Sequence, residues 1–374
     1  MSIDGRGSLK IMTVVGARPQ FVKAAALSRA IAASTATGKS IVEVLVHTGQ
    51  HYDYQMSDIF FDELKIAQPD YQLGIGSADH GAQTGAMMAR LEETVGEVNP
   101  DIMLVFGDTN STLAAALVAA KKGILLAHVE AGLRSFDRSM PEEVNRVVTD
   151  HVADLLYCPS NLAVAQLRAE GVTDGVDMVG DVMFDIFRTV QARLPAKNSV
   201  TARLGMEDGY LLVTLHRPVN TDDPAALRRI CDAFNILAAA GKSIVWPVHP
   251  RLRGRLADFV SRPGIHLIEP VGYLEMLMLL RGSSAVVTDS GGLQKEALWS
   301  HKPCITMRTT SEWMETIEGG WNVLVGNDVS RLVEAVERCG PSGTPPAIYG
   351  DGNASFRIVD SLLRHGPSMG TDAV

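Results

Sequence analysis

Three carboxylates in the first half of the chain stand where an apolar run ends or a helix begins. Asp108 closes the run in VFGD, Glu130 closes the run in HVE, and Glu142 follows Pro141 in SFDRSMPEEVNR. Acid/base chemistry needs such groups in unlike environments, because carboxylates sharing one cleft push their pKa values apart. Two of them also have plainer readings, Glu142 as a first-turn acid complementing a helix dipole and Asp108 as a loop residue. Glu130, an acid directly after an apolar strand, is harder to dismiss. Cations and donors gather at other strand ends. The first run leads into GARPQFVKAA, where Gly16 permits a tight turn and Pro19 suits a first helical turn. Arg18 and Lys23 there read either as an anion site beside helix N–H groups or as two solvated cations of a strand–helix turn. The clearest phosphate signal is VVTDSGGLQKEAL, in which Ser290, Gly291 and Gly292 open a helix and let backbone amides approach an oxygen-rich ligand. Glu296, one turn further, is within reach of a ribose diol. His216 and Arg217 in LHRPVN, and His249 and Arg251 in PVHPR, end two more runs and favour an anionic ligand. Neither P-loop nor GxGxxG spacing occurs. His47 and His51 are four apart, but the first lies in a strand and the second in the turn-like TGQHYD, which does not give a metal pair.

The elements that must place these residues alternate regularly. Apolar runs at 10–16, 41–49, 101–108, 124–132, 155–160 and 176–181 are separated by helical patterns such as 21–34, 111–122 and 142–156. Their nearly continuous apolar content predicts parallel strands covered on both faces. The theme repeats with runs at 210–217, 243–250, 265–270, 285–290, 302–307 and 322–326. The expected fold is α/β, two Rossmann-like doubly wound domains facing a cleft, with ligands beyond the carboxyl ends of the strands. The linker is expected within 182–208, which divides the chain into domains 1–181 and 182–352. A final helix at 353–366 could pack on either domain, and 367–374 is expected to be a disordered tail.

Composition sets outer bounds. The 374 residues carry 34 Lys and Arg against 43 Asp and Glu, a net charge of −9, which argues against a nucleic-acid surface. Four cysteines without a CxxC are too sparse for a disulfide framework or structural zinc. No apolar run approaches the ~20 residues of a membrane span, and no signal peptide is evident, so the expectation is a soluble cytoplasmic protein. Met87, Met88, Met276 and Met278 are read as core or cleft lining.

GARPQFVKAA, TGQHYD, VFGDTNSTLAAALVA, HVEAGLRS, MPEEVNR, TLHRPVN, PVHPR and TDSGGLQKEA occur in that order, between about residue 10 and about residue 365. Together they resemble the non-hydrolysing UDP-N-acetylglucosamine 2-epimerase family. The resemblance implies a GT-B-like fold with UDP held mainly by the C-terminal domain, a last helix (353–366) that packs back on the first domain, a homodimer, and no need for metal or nicotinamide. It implies elimination of UDP across C1–C2 to a 2-acetamidoglycal, then re-addition with the proton delivered to the opposite face. By the same resemblance Asp108, Glu130 and Glu142 match the family's three essential carboxylates, and His216 matches a cleft histidine near the leaving diphosphate. Arg18 and Ser290–Gly292 match phosphate contacts, Glu296 the ribose contact, and Lys23 a cation of the first loop. Which carboxylate serves which face stays open.

Several positions depart from the family wording. HRREN reads here as HRPVN, which puts Pro218 in place of an arginine. TERPE reads as SEWMET, which keeps Glu312 and brings Trp313 to the sugar side, and the uracil-stacking aromatic is Met276. In allosterically regulated members the TGQHYD region binds a second UDP-sugar. Gln50 and His51 match those members, whereas Tyr52 and Asp53 do not. GARPQFVKAA and HTGQHYD are more similar to the branch that epimerises UDP-2,3-diacetamido-glucuronic acid, an alternative substrate. A GT-B-type UDP-sugar glycosyltransferase is a further alternative, although it would need no chemistry at C2.

Overall fold

Runs of Val, Ile and Leu with few polar interruptions can be buried only with helices on both faces, which favours parallel pairing. The computed structural model describes residues 8–50, 68–257, 259–338 and 343–366. Two compact units result: one takes the chain up to Thr189 and again from Ala347, the other spans Val190–Pro346.

The first unit is built on β1 (Leu9–Val15), β2 (Ile41–His47), β3 (Tyr71–Gln72), β4 (Ile102–Phe106), β5 (Leu125–Val129), β6 (Leu155–Cys158) and β7 (Val176–Met178). They pair in the order β3-β2-β1-β4-β5-β6-β7, parallel throughout. The edge strand β3, two residues long, is too short to register as an apolar run. Strand order reverses between β1 and β4, and that switch opens a crevice at the carboxyl ends. The helix Asn110–Lys122 packs on β1, β4 and β5, and its fully buried Ala114, Ala115 and Ala116 let it lie close. Met12, Val14, Val46, Met103, Val105 and Leu91 complete that core. Each fully buried side chain of this size contributes about 1.5–3 kcal/mol.

The second unit repeats the plan with β8 (Leu211–Thr214), β9 (Ile244–Pro247), β10 (Ile265–Ile268), β11 (Ala285–Thr288), β12 (Cys304–Thr306) and β13 (Asn322–Leu324). Their order is β10-β9-β8-β11-β12-β13, parallel, with the switch between β8 and β11. Trp246 and Phe234 meet edge to face at 5.3 Å in its core, beside Val213, Val287 and Ile305.

The first break between the units falls inside the expected linker range 182–208. The stretch 182–208 holds two helices, Val182–Gln191 and Ser199–Leu204, and the units part after Thr189 and after Pro346 rather than after 181 and 352. The reason is local. Asp185 accepts hydrogen bonds from the amides of Ala354 and Ser355 at 3.1 and 2.7 Å, and the Asp181 amide donates to Tyr349 O at 3.0 Å. These bonds tie the helix at 182–191 to the first unit. The last helix, Ala354–His365, packs on Arg18–Ala36 of the same unit. Cys158, Cys231 and Cys304 are buried and in no disulfide among the described residues, whereas Cys339 and the tail 367–374 lie outside the described residues. No helix among the described residues is long and apolar enough to cross a membrane.

Candidate active site

The turn after β1 is shaped by a close approach. A Cβ on Gly16 would sit 1.9 Å from Ser111 Oγ and 2.3 Å from Thr48 Oγ1, so only glycine fits. Gln20, 2% exposed, clamps this turn to the end of β4. Its Oε1 accepts from the amides of Gly16 and Ala17 at 2.8 and 3.0 Å, and its Nε2 donates to Phe106 O at 2.7 Å and Thr112 Oγ1 at 2.9 Å. The first helix leaves this turn and carries Lys23 inward, where it forms a buried ion pair with Glu130. The side chain of Arg18 lies outside what is described.

Glu130 has φ 71°, a left-handed conformation that costs about 1–3 kcal/mol for a residue with a Cβ. It is held there by paired amides: Glu130 and Ala131 both donate to Tyr157 O, at 3.1 and 3.2 Å. On the adjacent strand, a Cβ on Gly107 would lie 3.4 Å from both Glu130 Oε2 and Lys23 Nζ. Asp108, next along, is therefore a neighbour of the Lys23–Glu130 pair. Its side chain is 34% exposed and meets Arg146 Nη2 at 2.5 Å. Burial pushes the Asp108 carboxyl above the usual carboxylate range, against the pull of Arg146 and Lys23 and with the Glu130 charge adding to the rise.

The helix Pro141–Val152 supplies the other wall. Arg146 pairs with Asp108 and Glu143 together, and Asn145 donates to Asp108 O at 2.9 Å. Glu143 behaves in the opposite way to Asp108. Burial opposes its charge, but the amides of Ser135 and Phe136, the Ser135 hydroxyl and Arg146 hold it below the usual range. Glu142, on the same first turn, is exposed. One guanidinium thus separates a structural carboxylate, Glu143, from one whose proton is held more tightly, Asp108.

At the switch point of the second unit the buried residue is Asp289, 0% exposed at the end of β11. Its carboxylate accepts from the amides of His216 and Arg217, from Asn220 Nδ2 at 3.0 Å, and faces His216 Nδ1 at 3.0 Å. Burial opposes its ionisation, yet the His216 ring and these donors hold Asp289 below the usual range. The His216 ring is thereby oriented, with its Nε2 edge on a side chain 43% exposed. Its centroid lies 5.9 Å from that of His249. Arg217 is half-buried, Arg251 is exposed, and the Arg251 amide donates to His249 Nδ1 at 3.3 Å.

Ser290 leads into the helix Gly291–Trp299, with Gly292 exposed and Glu296 buried. The loop after β12 lies against this helix start. A Cβ on Gly291 would come 2.8 Å from Glu312 Oε1 and 3.9 Å from Arg308 Nη1. Arg308, 6% exposed, pairs with Glu312 at 2.9 Å. Gln294 pins the loop, accepting from Ser311 Oγ at 2.7 Å and Asn322 Nδ2 at 3.0 Å. Trp313, expected on the sugar side, is 5% exposed, and Lys295 Nζ lies 3.7 Å from its ring centroid. The cation–π contact, stronger away from water, and the burial of the indole keep it inside. Met276 is half-buried on the separate helix Tyr273–Gly282.

The expected residues thus gather in two sets, Lys23, Asp108, Glu130 and Glu142 in one unit, and His216, Arg217, His249, Ser290, Gly291, Gly292, Glu296 and Glu312 in the other. Gln20, Glu143, Asn145, Arg146, Asp289, Gln294, Lys295 and Arg308 join them without having been singled out for a role. The Glu143–Arg146 spacing of three was a readable helix-pair signal. His47 packs edge-on against Phe21 at 4.9 Å, and His51 is outside the described residues, as are Tyr52 and Asp53. Gln50 accepts from Ser111 Oγ at 2.7 Å. No cluster of three or more His, Cys, Asp or Glu able to hold a metal ion occurs among the described residues.

Comparison with known proteins gives this geometry a family. The sequence model described as UDP-N-acetylglucosamine 2-epimerase matches residues 34–363. A UDP-2,3-diacetamido-2,3-dideoxy-D-glucuronate 2-epimerase of Pseudomonas aeruginosa is 45% identical over 364 residues, covering 95% of this chain and all of that one. A UDP-N-acetylglucosamine 2-epimerase of Methanocaldococcus jannaschii is 42% identical over 368 residues, covering 95% and 99%. A crystal structure of the M. jannaschii UDP-GlcNAc 2-epimerase in complex with UDP-GlcNAc and UDP superposes with a TM-score of 0.84 at 40% identity, covering 95% and 100%. The fold class is the GT-B-like one with two Rossmann-like units, and the chain belongs to the UDP-N-acetylglucosamine 2-epimerase family.

Proposed function

We propose that this protein inverts C2 of a UDP-2-acetamido sugar, converting UDP-GlcNAc to UDP-ManNAc. The C2 proton has no adjacent carbonyl to acidify it, so direct abstraction and return would be slow. In the proposed first step a carboxylate takes the C2 proton and the C1–O bond breaks. Its electron pair leaves on the UDP oxygen, giving a 2-acetamidoglycal. In the second step UDP oxygen re-forms the bond to C1 and an acid delivers a proton to the other face of C2.

The observation that carries this reading is the unlike state of three carboxylates of the first unit, two of them, Asp108 and Glu130, side by side at its strand ends. Asp108 is pushed up by burial, Glu130 is paired with Lys23, and Glu142 is exposed. Such a set supplies both a proton holder and bases. Ser290, Gly291, Gly292, His216, Arg217, His249 and Arg18 would hold the diphosphate, with Glu296 on the ribose. Arg251, Met276 and Glu312 complete the proposed substrate contacts. The proposal includes a homodimer in the cytoplasm, which sedimentation and cell fractionation check.

The P. aeruginosa relative favours a second substrate for the same chemistry, the UDP-2,3-diacetamido uronate. The test is to incubate the protein with each UDP-sugar in D2O and read C2 by NMR. Deuterium at C2 with formation of the manno epimer is expected for one of them. No exchange with either would overturn the proposal, and exchange with only one selects the substrate. A glycosyltransferase would transfer the sugar without C2 exchange.

A further inference from the structure

Beneath Asp108 and Glu130 lies a buried charged network that the proposed steps do not use. His128, 0% exposed, sits on β5 two residues before Glu130. Its Nε2 is 2.8 Å from Gly107 O, the carbonyl next to Asp108, and its Nδ1 is 2.7 Å from Asp150 Oδ1. Asp150, also 0% exposed, accepts from the Gly132 amide at 3.1 Å and from Arg134 Nη1 at 2.6 Å. Arg134 in turn forks onto Glu170 at 2.6 and 2.8 Å and donates to Leu133 O at 2.7 Å. Burial opposes the Asp150 charge, but His128 and Arg134 hold its carboxyl below the usual range.

A neutral imidazole has one N–H and one lone pair. Here both ring nitrogens face oxygen acceptors, a carbonyl and a carboxylate, so both must donate. A lone pair aimed at either would leave a buried clash of acceptors. The charges then balance, His128 and Arg134 against Asp150 and Glu170.

We propose that His128, resting as an imidazolium on Asp150, is a positioning residue: through the Gly107 carbonyl and its own strand it sets Asp108 and Glu130 relative to each other. It joins three elements at once, the end of β4, the end of β5 and the helix Pro141–Val152. Both carboxylates leave their strands at left-handed residues, Gly107 at φ 61° and Glu130 at φ 71°, which makes their placement dependent on such anchors. The role rests on the epimerase reading, whereas the two-proton state of the ring does not.

The test has two arms. In 15N-histidine-labelled wild-type protein, both His128 ring nitrogens should carry protons. A single ring proton overturns the proposal whether or not the protein is an epimerase. In the second arm, His128→Asn keeps a donor toward Asp150 but loses the one to Gly107, whereas His128→Gln keeps a donor toward Gly107. Turnover in C2 deuterium exchange should fall about 10- to 100-fold in His128→Asn, the range typical of outer supports of a reactive group, with KM unchanged. His128→Gln should recover most of it at an equal or lower melting temperature. Equal turnover of the two variants, or losses that follow the folded fraction, would overturn the positioning role. If wild-type protein exchanges neither sugar, the epimerase reading fails and the NMR arm still judges the ring.

Discussion

The two switch points share a topology and differ in chemistry. At the ends of β4 and β5, beside the switch between β1 and β4, the first unit places two carboxylates, Asp108 and Glu130, each against a different cation. Between β8 and β11 the second unit places one buried carboxylate, Asp289, whose task is to orient donors, beside a helix start opened by glycine. On the proposed reading the same strand reversal serves proton transfer in one unit and anion binding in the other. The fold supplies the location, and the residues just past the strands supply the function.

Separate chemistry predicts separable failures. Glu130→Gln should lower turnover by about 10²- to 10⁴-fold, the usual loss on removing an acid or base, while UDP affinity by calorimetry stays unchanged. Equal loss of UDP affinity would erase the distinction between the units. Gly291→Ala forces a methyl into Glu312, 2.8 Å away, and should weaken UDP binding about 10- to 100-fold, some 1.4–2.8 kcal/mol. A greater effect on turnover of bound substrate than on binding would contradict it.

Smaller effects probe the contrast inside the first unit. Glu143→Gln removes the charge from three donors and Arg146 and should cost about 1–3 kcal/mol in chemical unfolding. Asp108→Asn should leave stability unchanged or higher, because burial disfavours the ionised form. A less stable Asp108→Asn than Glu143→Gln would reverse the assignment. The smallest effect is in acid. The folded-state pKa of Asp289 is depressed, so its stabilisation is complete above the ordinary carboxylate value of about 3.9 and is lost as pH falls through the lower folded value. The stability gap between wild type and Asp289→Asn should therefore narrow as pH falls below the ordinary carboxylate range, and a widening gap would contradict the pairing.

Much of this was readable before any coordinates. Buried parallel strands announce themselves as apolar runs, and polar residues immediately after them stand out, which is how Asp108, Glu130, His216 and Ser290 are found. Their supports are hidden because they come from far along the chain. Gln20 reaches Phe106, 86 positions away, and Arg146 reaches Asp108, 38 away. Trp313 reads as a sugar-side aromatic because its partner Lys295 looks like an ordinary surface cation until the loop folds over it. That the helix at 182–191 is tied to the first unit is hidden for a similar reason: its anchors are bonds to residues 349–355, which local composition cannot show.

The central claim is that inversion at C2 proceeds through cleavage of the C1–O bond. Oxygen-18 placed in the bridge between C1 and the β-phosphate of the accepted UDP-sugar tests it directly. The account predicts that the label scrambles into the non-bridging β-phosphate positions during turnover, read by 31P NMR. Epimerisation with the label retained wholly in the bridge would contradict it.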